Sequence, residues 1–572
     1  MFRFAFLLLT ALFLISCKGK QPKKRKTSDV STCASTATSD REWYYSGKKA
    51  PLFKGLAGID FKISTTNEEA QQYFNQGMML CYGFNHAEAT RSFFEAMRLD
   101  STCAMAHWGF AYALGPNYNA GMENDNYQLA NDAVIKAKSL SIGGTPLEIE
   151  LIKALSYRYQ PNPPADRSLL NIAYANAMKK VYEKFSAHPD IGALYADALM
   201  NLHPWDLYDN TTKQSKEWTP ELIGVLEQLM KSNPKHPGAH HFYIHAVEAS
   251  SAPQRALNSA KILDTLVPGA GHLLHMPSHI YINTGDYHLA TQSNLRAIAV
   301  DSAYTIACYA HGIYPLAYYP HNYHFLAATA ALEGNSSLSF YAAERLQQHL
   351  ARDLMEQPEW STLQHYYTIP YYVAVKFGMW DKILSFPAPP RNMPYPNAIW
   401  HYAKGLAYIG KKEINNAQKE AEKLEELSRD SSLSQLTVWN INTLADLVQI
   451  ANKVLAAAIN VKNNDLDKSI QLLQEAVTIE DKLNYNEPPD WFFSVRHHLG
   501  AVLLRSKNYE KAAHIYVEDL KKWKKNGWAL LGLHEALLKQ KKISNAKKIK
   551  IAFNEAWKYA DTKIQSSSAI FY

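Results

Sequence analysis

Histidine residues are concentrated between His236 and His279, in two short segments that otherwise have the composition of helices. The first is His-Pro-Gly-Ala-His-His-Phe-Tyr-Ile-His-Ala-Val-Glu (236–248), and the second is Gly-His-Leu-Leu-His-Met-Pro-Ser-His-Ile-Tyr (271–281). A helical scaffold does not need seven histidines within 44 residues. Because imidazole binds transition metals and exchanges protons near neutral pH, these side chains are the first candidates for chemistry.

The spacing of these residues predicts shared helix faces. His241, His245 and Glu248 are four and three residues apart, so on a helix their side chains point the same way. His275 and His279 are also four apart, but Pro277 between them favours the first turn of a helix, which would leave His275 just outside it. We therefore expect a common face for the first group and a less regular one for the second.

The two groups are expected to face each other across one groove. Residues 253–266 between them have a helical pattern of their own, and an up-down-up path returns the chain beside its starting helix. Imidazoles and a carboxylate that converge in this way suit zinc, iron, copper or manganese, and an open coordination position would activate water or dioxygen. The sequence thus predicts a divalent transition-metal site with the residues His241, His245, Glu248, His275 and His279.

A structural role is the alternative interpretation of the same residues. Buried histidines often only hydrogen-bond backbone groups, and His236 and His240, beside a Pro-Gly pair, are suited to helix capping. The sequence contains no His-Glu-x-x-His pair, no Gly-rich phosphate loop and no nucleophile elbow. No catalytic residue is therefore assigned, and the question of enzymatic activity stays open.

Three further segments could contribute to the groove. Asn117 and Asn119 follow a helix stop at Leu-Gly-Pro and either hydrogen-bond a ligand or form a turn. The segment His-Asn-Tyr-His (321–324) lies at the entry of a predicted helix and could close the groove from another repeat. The segment Tyr-Asn-Glu-Pro-Pro-Asp-Trp (485–491) is a rigid aromatic loop, which predicts either an intramolecular plug or a contact surface.

The N-terminus predicts an export signal and a lipid anchor. An early positive charge precedes an almost wholly apolar run, Phe4 to Ile15, which is too short for a transmembrane helix. The residues Leu-Ile-Ser-Cys (14–17) resemble the bacterial lipobox, and the resemblance implies removal of residues 1–16 and acylation of Cys17, palmitate included. A secretory peptide that merely ends in cysteine is the alternative. Several acyl chains on one cysteine hold a protein firmly at a membrane.

The segment behind the predicted anchor is polar and basic. Residues 17–45 are rich in Lys, Ser and Thr and lack helical periodicity, which predicts a flexible tether. Its basic run, Lys18 to Lys26, either attracts anionic headgroups or is a solvated linker. By resemblance to lipoprotein sorting rules, Lys18 implies the outer membrane of a bacterial envelope, facing the periplasm. No nucleic-acid partner is predicted, because a net charge of +7 is mild for 572 residues.

The bulk composition describes a folded protein. The hydrophobic fraction of 47% is sufficient for a core, and 12% aromatic residues is high for a disordered chain. Five cysteines are present without a Cys-x-x-Cys pair, so no zinc finger or thioredoxin-like motif is predicted. For Cys81 and Cys103 we favour free, buried thiols over a disulfide bridge.

Small and aromatic residues recur at fixed spacing along the chain. Ala89, Phe93 and Ala96 lie 12, 16 and 19 residues after Gly77. This spacing resembles the tetratricopeptide repeat, in which two helices cross at small residues. Related matches are Ser278, Tyr281, Ala290 and Ala297; Gly405, Tyr408 and Ala417; Leu499, Gly500, Leu503, Ala512 and Tyr516; and Trp528, Leu531 and Gly532.

The resemblance implies an all-α fold, an α-solenoid of tetratricopeptide-like helix-turn-helix repeats. It covers most of residues 65–560, with irregular stretches near 140–240 and 350–398. Segments such as Asn-His-Ala-Glu-Ala and His-Met-Pro-Ser-His-Ile-Tyr also look like those of a group of large bacterial tetratricopeptide proteins, which supports the fold and implies no reaction. The Pro-rich linker 386–398 divides the predicted array into blocks at 46–385 and 399–572.

Three functions follow from these features. The first is a membrane-anchored scaffold whose groove binds a protein partner or a small ligand, since recognition is the usual work of solenoids. The second is a metal-dependent enzyme or a metal-binding protein that uses the histidine cluster. The third is peptide or carbohydrate binding in nutrient uptake by a groove rich in aromatic side chains, given 35 Tyr and 12 Trp in the chain.

Overall fold

The computed structural model describes residues 40–308 and 314–571, which are predominantly helical. Its first helices are α1 (Arg41–Tyr45), α2 (Glu68–Tyr82), α3 (His86–Leu99), α4 (Ala104–Leu114), α5 (Tyr127–Leu140), α6 (Pro146–Leu155), α7 (Ser168–Phe185), α8 (Pro189–Met200), α9 (Thr219–Ser232), α10 (Pro237–Glu248), α11 (Leu257–Leu266), α12 (Gly271–His275), α13 (Pro277–Thr284) and α14 (Tyr287–Cys308). The all-α prediction is confirmed.

The second half continues in the same way after a π-helical turn, Tyr314–Tyr318. It contains α15 (Tyr319–Leu332), α16 (Ser336–Gln348), α17 (Thr362–Lys376), α18 (Trp380–Ser385), α19 (Pro394–Gly410), α20 (Ile414–Leu427), α21 (Leu444–Lys462), α22 (Leu466–Glu480), α23 (Arg496–Arg505), α24 (Tyr509–Lys522), α25 (Gly527–Lys539) and α26 (Ile543–Ala556). A short antiparallel hairpin, β1 (Thr437–Val438) and β2 (Asn442–Thr443), pairs Thr437 with Thr443.

Consecutive helices pack as hairpins that stack on one another. The helices α2 and α3, α15 and α16, α19 and α20, and α25 and α26 form such hairpins. Between hairpins, α3 also packs on α4, α16 on α17 and α24 on α25. Most helices therefore bury their apolar faces against both neighbours in sequence, which is the helix-turn-helix solenoid arrangement expected of tetratricopeptide-like repeats.

Glycine at the predicted small positions is required by an aromatic ring between two helices. A Cβ atom at Gly77 would lie 2.6 Å from the ring of Phe93, and one at Gly109 would overlap the same ring. Phe93 of α3 is thus held between α2 and α4, where no larger side chain fits. The same arrangement recurs near the C-terminus in Gly500, Tyr516 and Gly532. The template inferred from spacing is confirmed at these two places.

The stretches predicted to be irregular contain helices. Residues 140–240 hold α6 to α9, joined by longer connections at 159–167 and 201–218. Within the predicted linker 386–398, only 386–393 are non-helical, since α19 begins at Pro394, where the fixed φ of proline suits a first turn. The largest apolar clusters span residues 50–318 and 319–571. The division into blocks at 46–385 and 399–572 stays a prediction.

The predicted export signal, residues 1–16, and the acylated Cys17 lie outside the described residues and stay predictions. The last residues of the predicted tether, 40–45, include α1. Tyr44 of this helix packs against the rings of Phe94 and Phe110, at 4.9 and 5.3 Å between centroids, and Asp40 accepts hydrogen bonds from Arg91. This end of the segment is therefore attached to the first repeats.

One helix of the described chain, Leu444–Lys462, is long and apolar enough to cross a membrane by length and composition alone. More than half of it is buried, and it packs on α19, α20 and α22. These contacts are those of a core helix. Cys81 and Cys103 are buried and not bridged, as expected.

Substitution of Gly77 by alanine should test the aromatic wedge. The added methyl group would displace the Phe93 ring, and overpacking of this kind costs about 1–3 kcal/mol, which for most of that range is more than the ~1 kcal/mol that alanine gains over glycine in a helix. We expect a lower melting temperature in circular dichroism. The matched control is Gly224→Ala in α9, where no atom lies within 4 Å of the new methyl group. A drop of equal size in the control would contradict the wedge.

Candidate metal centre

Helix α10 carries the first histidine group on a fully buried face. The His236 side chain caps the helix by accepting a hydrogen bond from the backbone N–H of Ala239 at 3.1 Å, as predicted, and Pro237 occupies the first turn. His241 and His245 are one turn apart, with 4.9 Å between ring centroids. The expected common face is present.

The second group lies across the junction of α12 and α13. Pro277 begins α13, as predicted, but Met276 has helical angles (φ −52°, ψ −36°), so the backbone stays helical through the junction. The Nε2 atoms of His275 and His279 consequently approach to 2.9 Å. The face that the proline was expected to disrupt is preserved.

The histidines form two adjacent triads. Nitrogen atoms of His241, His245 and His272 lie within 4.8 Å of one another, and the same holds for His275, His279 and His321. Between the triads, the rings of His245 and His279 are 5.8 Å apart. The five residues predicted as one ligand set are therefore divided, because each pair has its own third histidine. We call the first three residues triad A and the second three triad B.

Glu248 joins the two triads without being a member of either. Its Oε1 accepts a hydrogen bond from Nδ1 of His245 at 2.7 Å, and its Oε2 accepts one from Nδ1 of His279 at 2.6 Å. A ring that donates through Nδ1 has its lone pair on Nε2, which is the form that binds metals. One carboxylate thus orients one ring of each triad. Burial would raise the pKa of Glu248, but the two imidazoles lower it to about 2.

Other Nδ1 atoms of the triads are also anchored. Nδ1 of His241 donates to the carbonyl oxygen of Tyr82 at 2.6 Å, which requires the N–H to be on that atom. Nδ1 of His275 lies 2.7 Å from Oδ1 of Asn294 in α14. The Nε2 atom of each ring is then the available ligand. At His321 the contact is longer, with 3.4 Å between Nδ1 and the hydroxyl of Tyr366.

Several ring nitrogens of triad A have no hydrogen-bond partner in the described part of the chain. These are Nε2 of His241 and His245 and both nitrogens of His272. Burial, followed by the neighbouring rings, keeps the pKa of His241 and His272 well below the ordinary value. The pKa of His275 and His321 is lowered for the same two reasons. These rings are neutral at pH 7, the state in which imidazole binds metals.

The triads open on a cleft of about 890 Å³, counting space open to solvent. Each triad presents two rings to this cleft: His245 and His272 from triad A, and His279 and His321 from triad B. The opposite wall comes from distant parts of the chain, namely residues 359–362, the β1–β2 turn at 437–441, and residues 486–487. The array therefore curves until its second half faces the cluster.

The aromatic loop 485–491 closes the site from within the chain. Of the two roles predicted for it, this is the intramolecular plug. The Tyr485 hydroxyl donates to Oε1 of Glu487 at 2.8 Å and lies 3.4 Å from Oε2 of Glu248. Asn283 of α13 also donates to Oε1 of Glu487, at 2.8 Å. Oε2 of Glu487 is buried with no hydrogen-bond partner in the described structure. Burial raises the pKa of this carboxyl group to about 7.

Of the other residues predicted to contribute to the groove, some line the cleft and others do not. Asn117 forms a turn by accepting from the N–H groups of Asn119 and Ala120, while Asn119 lines the cleft. His321 joins triad B, but His324 turns away and stacks on Phe492 at 5.2 Å. His272 was missed although it lies three residues before His275, a spacing that signals a shared face. No local signal in the sequence places residues 437–441 here.

Comparisons with known proteins assign no family. No protein-family model and no curated protein matches the chain. Similar solved structures include a human IFIT1 dimer with m7Gppp-AAAA, which is 13% identical over 87% of this chain and 92% of its own, with a TM-score of 0.31. The TPR domain of P58(IPK) is 12% identical over 83% and 98%, with a TM-score of 0.23. The APC/C hetero-tetramer Cut9-Hcn1 is 13% identical over 86% and 78%, with a TM-score of 0.28. These values assign neither ligand nor activity.

The loop that closes the site should make stability depend on pH through Asp490. Burial raises the pKa of this carboxyl group to about 7, although the side-chain N–H groups of Asn442 and Asn486 donate to it. The unfolded value is about 3.9. Because the folded pKa is the higher one, the stabilisation is complete below about pH 4 and is lost as the pH rises through about 7.

We therefore expect the melting temperature of the parent protein to fall more steeply between pH 4 and 8 than that of Asp490→Asn, measured by differential scanning calorimetry. The exposed Asp132→Asn is the control and should keep the parent slope. Parallel curves for the parent and Asp490→Asn would show that this carboxyl group does not titrate as described.

Proposed function

We propose that the protein is a helical-repeat scaffold that binds two divalent transition-metal ions, one at each histidine triad, and presents them to a small ligand in the cleft. The observation that supports this proposal is the pair of three-histidine groups, buried except for the half-buried His321, that share Glu248 as the acceptor for one ring of each. Three protein ligands leave a position for water or substrate, which is the pattern of catalytic rather than structural zinc sites.

The donor set narrows the choice of metal. Imidazole suits zinc, copper and iron, whereas manganese prefers carboxylate, carbonyl and water oxygens. Because each triad offers only imidazole nitrogens and Glu248 is engaged by two rings, zinc, copper or iron fits better than manganese. An ion held here would polarise a bound oxygen or lower the pKa of bound water. The chain itself would orient the rings and restrict access to the cleft.

The form of the cleft favours a small ligand over a protein partner. Residues 437–441 and 486–487 already occupy the side opposite the triads, and the plug residues 485–491 bond to α13 through Asn283. What remains is a cleft between these segments on one side and the triads on the other. Membrane attachment through Cys17 stays part of the proposal, and it would place this site in the cell envelope.

Metal content tests the proposal directly. After reconstitution with zinc and dialysis, we expect two ions per chain by inductively coupled plasma mass spectrometry. His245→Ala in triad A and His275→Ala in triad B should each retain one ion, because two imidazoles bind far more weakly than three. The control is His514→Ala, whose side chain is 70% exposed, and it should retain both ions.

Circular dichroism would verify that the variants are folded. A parent protein that takes up no zinc, copper or iron after reconstitution would refute the metal site. A single ion, lost equally in both triad variants, would refute the assignment of one ion to each triad.

Glu248→Gln should lower the metal affinity of one triad and leave that of the other nearly unchanged. The amide oxygen can accept from only one of the two Nδ1–H groups, while its NH2 group faces the other ring and forces that ring to carry its proton on Nε2. Loss of an orienting acceptor typically costs 10–100-fold in metal affinity. We expect a loss of this size for one ion and little change for the other, in a zinc titration against a competing chelator. In Glu248→Ala both affinities should fall; unchanged binding in either variant would contradict the orienting role.

A further inference from the structure

Two tryptophans line the cleft in an unusual backbone conformation. Trp205 has φ +56° and Trp439 has φ +51°, in the left-handed region that bulky residues rarely adopt. Both belong to connections outside helices, where another residue would cause less strain. Outliers of this kind concentrate at binding sites, where the surrounding structure holds them in place.

The β1–β2 turn places Trp439 at its tip. Ile441 N–H donates to the carbonyl oxygen of Val438 at 2.9 Å, and the two central residues, Trp439 and Asn440, both have positive φ. Turns of this geometry normally have Gly or Asn at these positions. The N–H of Trp439 donates to Oγ1 of Thr362 at 2.8 Å, which fixes the turn against the start of α17. The turn therefore presents an indole ring where the backbone would favour glycine.

Trp205 is placed on the other half of the chain, against triad A. Its ring stacks on Tyr118 at 5.2 Å and meets the ring of His245 edge-on at 5.6 Å. Both tryptophans are only partly buried, so each offers ring surface to the cleft. Indole faces of this kind bind the flat faces of other rings.

The polar groups of the cleft indicate which polar groups a ligand would need. Oε2 of Glu487, a residue that is 6% exposed, and Oδ1 of Asn119 are buried and have no hydrogen-bond partner in the part of the chain that the structure describes. Oδ1 of Asn119 is an acceptor, and Oε2 of Glu487 is one when the carboxyl group is ionised, so both suit a ligand that donates hydrogen bonds. No Lys or Arg lines the cleft within the described ranges, so an anionic ligand would find no side-chain counter-charge.

We infer that the cleft binds an uncharged ring compound with adjacent hydroxyl groups. Its ring packs on the tryptophans, and its hydroxyl groups donate to Glu487 and Asn119 and reach the two triads. The inference deepens the proposed function and rests on it only for the contribution of the ions. Both a saccharide and a dihydroxylated aromatic ring have this chemistry, and the two sources are distinguished by the choice of probe.

The probes are methyl β-D-glucopyranoside and catechol, titrated by calorimetry into the full chain with and without zinc. We expect one of them to bind the metal-free protein and to bind it more tightly after loading. A saccharide site binds the glucoside and an aromatic site binds catechol. The comparison compounds are 1,2-dimethoxybenzene, which donates no hydrogen bond, and benzoate, which is an anion; neither should bind the metal-free protein.

Trp439→Gly is the decisive variant, because it removes the ring and relieves the strained φ at once. We expect probe affinity to fall at least tenfold while the melting temperature stays equal or rises and zinc uptake remains two ions per chain. Trp439→Phe should restore part of the affinity. The matched control is Lys412→Gly, which relieves a φ of +66° at a residue that does not line the cleft and should leave binding unchanged.

Glu487→Gln should also weaken binding, since it replaces an acceptor by an N–H group. Failure of both probes to bind the parent protein, or undiminished binding in Trp439→Gly, would overturn the inference. Because zinc uptake is measured on the same samples, absence of zinc with retained probe binding would refute the metal proposal alone.

Discussion

The carboxylate of Glu248 is the group on which the histidine cluster depends. A buried anion is unfavourable unless hydrogen bonds compensate it, and Glu248, at 2% exposure, is compensated by the Nδ1–H groups of His245 and His279. The same two bonds fix the tautomer of one ring in each triad. They also require α10 and α13 to lie within reach of one side chain. Charge balance, ring orientation and helix placement are thereby determined together.

The repeat fold provides the close helix contacts that this arrangement needs. A Cβ atom at Gly238 would lie 2.8 Å from the ring of Tyr82, so a larger residue there would separate α10 from α2. The carbonyl oxygen of Tyr82 is the acceptor for Nδ1 of His241. The small residue that allows the helices to pack thus also brings the anchor of a triad A ring into place. Packing and site geometry are not independent in this protein.

The sequence was sufficient for the features that depend on neighbours along the chain. Helical spacing placed His241, His245 and Glu248 on one face, and the recurrence of glycine and aromatic residues predicted the crossing of helices at Gly77. It was not sufficient for the division into two triads. His321 joins triad B from a different helix hairpin, and a carboxylate among histidines can equally be a ligand or an acceptor. Only the tertiary arrangement decides between these roles.

Trp439 shows more clearly which contacts could not be predicted from the sequence. It lies 160 residues beyond His279 in the chain, on a turn whose positive φ angles are unrelated to its residue type. Spacing within a helix predicts contacts over one or two turns, whereas the curvature of a solenoid accumulates over many repeats. The wall opposite the cluster is therefore a property of the whole array.

The segment 236–248 contains two kinds of buried histidine, which differ in whether their ring nitrogens have hydrogen-bond partners. This difference is the physical basis for treating the cluster as a site. His240 has both ring nitrogens paired, with the hydroxyl of Ser259 and the carbonyl oxygen of Pro234, each at 2.9 Å. This is how a buried histidine with a structural role is satisfied. In triad A, by contrast, buried nitrogens face one another with no partner in the described chain. Leaving such groups unpaired is unfavourable for folding. A fold that pairs His240 fully and leaves Nε2 of His241, the next residue, unpaired supports the proposal of a ligand at triad A.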